Sequence, residues 1–126
     1  MGRPSNNQRA FNIIWQHFVV KGGKQSVTEG KYTGNKHWAY RGPYRRKDAI
    51  GLLISDEDYD PDMEELTIEE VLEYWPDLQL PTNDMTLLTR LQWSHDCVAK
   101  NEKEFSEKVR ARLEQVAQEF HLQVKQ

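Results

Sequence analysis

The chain has 126 residues, 37% of them apolar and 29% charged, which fits one globular domain over residues 1–126 and excludes a disordered composition. Its net charge of −3 and pI near 5.8 speak against a dedicated nucleic-acid binder, and a lone cysteine, Cys97, excludes an internal disulfide or a cysteine-based zinc site. No apolar run approaches the ~20 residues of a membrane span and no secretory signal opens the chain, so a soluble cytoplasmic protein with no membrane partner is expected.

Residues 1–6 are expected as a disordered tail. Phe11, Ile14, Trp15, Phe18 and Val19 then recur at helical spacing and predict a core-facing first helix, capped by Asn6 or Asn7 and ended by Gly22-Gly23. Residues 28–35 read as a polar loop or weak strand. His37-Trp38-Ala39-Tyr40, the turn signal Gly42-Pro43 and the apolar run Ala49–Ile54 predict a β-hairpin with its tip at Arg41–Lys47. A short helix over the second arm is the alternative, because so brief a run does not fix its own period.

Ser55–Glu65 reads as an acidic loop. Thr67 and Glu70 form a capping box for a helix reaching about Trp75, and Pro76 and Pro81 bracket an extended connection. Asn83 or Asp84 caps a helix with the stripe Leu87, Leu88, Leu91, His95 and Val98. Asn101 with Glu104 opens the last helix, whose apolar face is Phe105, Val109, Leu113, Val116, Ala117 and Phe120, with His121 serving its end. About four helices with a small β-hairpin make an α+β, predominantly α-helical fold.

Charge is segregated along the chain. Residues 1–50 hold ten Lys/Arg against two acids, whereas residues 51–100 hold thirteen acids against Arg90 and Lys100. The segment Lys36, Trp38, Tyr40, Arg41, Tyr44, Arg45, Arg46 and Lys47 interleaves cations with aromatics. That mixture suits a protein interface, where Trp, Tyr and Arg dominate binding energy, and it also suits nucleic acid. Asp56, Asp58, Asp60, Asp62, Glu64 and Glu65 form the matching acidic surface.

Calcium is set aside for the acidic run, because Pro61 or Met63 stands where an EF-hand loop needs glycine. No metal or cofactor motif remains. Ser94-His95-Asp96-Cys97 contains catalytic residue types, but neighbours on a helix point apart. A small enzyme built around His95 and Asp96 therefore requires Tyr40 and Arg41 to join them in one pocket.

Tyr40-Arg41-Gly42-Pro43, Ala49-Ile50-Gly51, Ile54, Asp56-Glu57, Tyr59-Asp60-Pro61, Met63-Glu64 and Leu91-Gln92-x-x-His95-Asp96 together resemble a family of small phage, prophage and bacterial proteins. The pattern of that family runs roughly YRGPDG-x-KCAIG-x-LIPD-x-x-YDPEMEG. Asp48, Ser55 and Glu65 depart from it, standing where the family has Cys, Pro and Gly. The resemblance implies an origin in mobile elements and no particular activity. The expected function is a non-catalytic interaction protein that binds and modulates a macromolecular partner, for example as an anti-defence or host-takeover inhibitor. A protein is the expected partner and nucleic acid the alternative.

Overall fold

The computed structural model describes residues 5–29 and 36–124. It is predominantly helical, with five α-helices and one two-stranded antiparallel hairpin among the described residues. Helix α1 spans Asn6–Trp15 and runs on into a π-helical turn, Gln16–Val20, in which the Lys21 N–H reaches back to the Gln16 carbonyl. The helix begins inside the expected tail. Its cap is Ser5, whose Oγ accepts the Gln8 N–H, not Asn6 or Asn7. Asn7 instead ties α1 to the fourth helix, donating to Asp84 and accepting from Thr82. Gly22, at φ 70°, turns the chain out of this first helical segment.

The hairpin is placed differently from the expectation. Strand β1 (Val27–Glu29) pairs with β2 (Lys36–Trp38), Thr28 facing His37. Residues 30–35, read in part as loop or weak strand, lie outside the described residues. The expected tip Arg41–Lys47 survives as one isolated bridge between those two residues around a tight 3-10 turn, Pro43–Arg45. The expected second arm is helix α2, Ala49–Leu53. Asp48 explains the change: its carboxylate accepts the Gly51 N–H at 2.7 Å and caps a single helical turn.

Helix α3 (Ile68–Tyr74) carries the Thr67/Glu70 capping box, with both reciprocal bonds formed. Helix α4 (Met85–His95) is capped by Asp84. It ends before Val98, which is 79% exposed and therefore off the expected stripe. Helix α5 (Glu102–Glu119) starts at the Asn101 cap. It closes with His121 at φ 54° while the Leu122 N–H reaches the Ala117 carbonyl, a left-handed C-cap.

Helix α5 packs along α4 and the end of the first helical segment, and α2 sits against α1 and α4. The core gathers Phe11, Ile14 and Phe18, Ile50 and Ile54, Leu87, Leu88 and Leu91, and Phe105, Val109 and Leu113. Burial of such side chains, each contributing about 1.5–3 kcal/mol, is what holds these short helices in place. No described helix is long and apolar enough to cross a membrane.

Candidate functional site

His95 is the pivot of the interior. It is fully buried and packs its ring 5.6 Å from both Phe18 and Phe105. The Ser26 N–H donates to its Nε2 at 2.9 Å, which leaves Nδ1 as the protonated nitrogen, donating to Asp96 Oδ1 at 2.7 Å. Ser26 Oγ in turn donates to the Ala39 carbonyl and Gln25 caps the carbonyls of His95 and Cys97. The strand entering β1 is thereby bolted to the end of α4.

From Asp96 a polar chain continues to α2. Gln92 Nε2 donates to Asp48 Oδ2 at 2.8 Å and to the Asp96 carboxylate at 3.1 Å, while its Oε1 accepts the Ile50 N–H at 2.9 Å. Two carboxylates therefore share one neutral amide. Burial pushes the Asp48 carboxyl up to about 6, against the opposing pull of His95, the Gly51 N–H and Gln92.

Asp48, Gln92 and Asp96 form the floor of a groove of about 790 Å³ between β2, α2, the start of α3 and α4. Trp38, Tyr40, Ile50, Leu66 and Ile68 line its sides, and Glu65 and Glu69 stand among its lining acids. His37 Nε2 lies 3.3 Å from Glu65 Oε1. Trp93, also in the lining, has the guanidinium groups of Arg90 and Arg112 over its ring at 3.9 and 4.4 Å from its centre.

The described residues of the cation-aromatic segment divide between the groove, the interior and the turn. Lys36 enters β2 opposite Glu29, and Trp38, 41% exposed, faces the groove. Tyr40 is buried and its hydroxyl donates to the Leu66 carbonyl at 2.5 Å. Arg41 pairs with Asp56 at 2.5 Å, donates to the Ile54 carbonyl and lies 4.8 Å over the Tyr59 ring. Lys47 reaches the same Asp56 at 3.4 Å. Tyr44 and Arg45 are exposed, and the half-buried Arg46 lies over the Tyr44 ring at 5.5 Å. They border a shallow cavity of about 330 Å³ shared with His17, Lys24 and the Gly22-Gly23 bend.

The acidic stretch is also divided. Asp56 is exposed, and the hydrogen bond from Arg41 holds its carboxyl below the usual range. Asp58 borders a separate cavity beside Tyr74 and Trp75, and Asp60 caps the 3-10 turn Pro61–Met63 by accepting the Asp62 N–H. Asp62 itself is exposed. Glu64 points inward, accepting the N–H groups of Tyr40 and Arg41 and the Tyr59 hydroxyl. Glu65 has φ 66° and carries the His37 contact.

Of the four residues that an enzyme around His95 and Asp96 requires, Tyr40 and Asp96 meet in the groove. His95 stands behind Asp96, and Arg41 leads away to Asp56. Asp48 and Gln92 are the groove residues that periodicity does not mark. Their signals are local: an acid three residues before Gly51, and a glutamine one helical turn ahead of Asp96. Among the described residues no group of three His, Cys, Asp or Glu is arranged to hold a metal ion. The chain matches no family model, no curated protein and no solved structure.

Proposed function

We propose that the protein is a non-catalytic interaction protein that binds and modulates a macromolecular partner, in the first place a protein, through the turn Pro43–Arg46. The carrying observation is the backbone of that turn. Tyr44 and Arg45 lie at φ 60° and 61°, the left-handed region that costs a non-glycine residue about 1–3 kcal/mol when it is held there. Tyr44 in that turn is 87% exposed beside two arginines. No carboxylate of the described residues forms an ion pair with either. Exposed Tyr and Arg are the side chains from which interface hot spots are made, and their charge fits an acidic face on the partner.

The test is a pull-down comparing the wild-type chain with Tyr44→Ala/Arg46→Ala and with Val98→Ser as a surface control. A partner held by wild type and control, and weakened at least tenfold (about 1.4 kcal/mol) by the double variant, supports the reading. Equal capture by all three sinks it. The acid-free lining of the adjoining cavity favours one second reading, nucleic acid on the same turn. Phosphate contacts would show as affinity falling steeply with salt, and the absence of any DNA or RNA shift at low salt removes that reading.

A further inference from the structure

The groove over Asp48 and Asp96 shares no lining residue with the cavity beside the turn, and its charge has the opposite sign. Its volume is that of a small-molecule site, for which about 300–1,000 Å³ is usual. Its lining holds four carboxylates, Asp48, Glu65, Glu69 and Asp96, with His37 set against Glu65 and, among the described residues, no Lys or Arg.

Among the described residues no Lys or Arg forms an ion pair with the floor. Asp48 is 1% exposed, yet both donors that reach it, the Gly51 N–H and the Gln92 amide, are neutral. Asp96 takes the His95 Nδ1–H and the same amide, and its side chain remains 23% exposed towards the groove. Arg112 directs Nη1 at the backbone carbonyls of Trp93 and Asp96 and makes no ion pair with either carboxylate. A buried carboxylate without a cation is costly, and an incoming positive charge relieves that cost in a medium where the attraction is weakly screened.

The Gln92 amide nitrogen already occupies the space between the two carboxylates, where a bridging metal ion would have to sit. Asp96 and Trp38 both line the groove, and the Asp96 side chain keeps 23% of its surface exposed. A planar group with several N–H donors and an aliphatic body suits both, donating to the carboxylate and lying against the indole.

We propose that this groove binds a small organic cation of the guanidinium type, neutralised by the Asp48–Asp96 pair and packed against Trp38. The experiment titrates the full chain with agmatine near neutral pH, reading heat and the indole N–H resonances. Parallel arms use butylurea, a neutral analogue, and a capped arginine tripeptide. Saturable agmatine binding with a Kd below about 10 mM and a shifted Trp38 indole is expected, with butylurea inert. Asp96→Asn should weaken binding about tenfold, Trp38→Ala about threefold and the rim change Glu69→Gln about twofold. The last two residues are exposed enough to be replaced without disturbing the core, so the test stands even where Asp96→Asn fails to fold. Three results overturn the proposal: no saturable shift with agmatine, equal binding of butylurea, or unchanged affinity in both Trp38→Ala and Glu69→Gln. A tripeptide that binds tenfold more tightly than agmatine overturns the small-molecule assignment.

Discussion

Gly51 sits inside a helix, where glycine is ordinarily a weak choice, and one carbonyl requires it there. A Cβ at this position would run into the Tyr40 carbonyl and crowd Asp48 Oδ1. Gly51→Ala is therefore expected to destabilise by at least about 1–3 kcal/mol, read as a lower urea midpoint with an unchanged slope. Asp48 next to it carries a pH signature. Its carboxyl titrates near 6 in the fold and near 3.8 when free, so the folded state holds the proton more tightly. The stability linked to that proton is complete below pH ~4 and is lost as pH rises through ~6, a change of about 3 kcal/mol. Asp48→Asn cannot ionise. Urea unfolding at several pH values should show the wild type losing stability relative to the variant across that window. A difference that stays flat with pH refutes the assignment, whatever fixed cost the new amide incurs against Gln92.

Helices whose apolar residues repeat over two or more turns were readable in advance, because periodicity and caps agree. Helix α5 is the clearest case: Asn101 accepts the Glu104 N–H and Phe105, Val109 and Leu113 follow on one buried face. Asn101→Ala should cost about 1 kcal/mol in thermal or urea unfolding, and Asn101→Gly only a few tenths. Short elements were not readable in the same way. Residues 27–29 and 36–38 have no alternation to fix a register, and the neighbouring Ser26 is held by distant partners, His95 and Ala39. Helix α2 has one turn, too little for a period, and its helical state depends on the Asp48 cap. The groove inherits that opacity. Trp38 and Asp96 attract notice by residue type, but their meeting depends on Gln92 and on pairing across more than forty residues of chain.

At the scale of the molecule, the charge segregation along the sequence is partly cancelled by folding. Arg41 and Lys47 converge on Asp56, and Glu64 accepts two backbone N–H groups of the basic segment. Among what remains are two separated patches, a cationic turn with an exposed tyrosine and an anionic groove. Opposite patches on one small body make self-association sensitive to ionic strength. Light scattering should show any such association weakening as salt rises from low to physiological, and growth of association with salt would show that charge is not its cause.

The single thiol offers a way to watch the whole fold open. Cys97 is 3% exposed at the end of α4, and burial pushes its thiol up, so it is both shielded and poorly ionised. An alkylating reagent can reach it only during excursions that expose this segment. Its labelling rate then becomes a clock for those excursions, needing no engineered probe. The clock should accelerate with urea in step with the tryptophan signal; labelling at the speed of a free thiol in native buffer would mean that this corner breathes on its own.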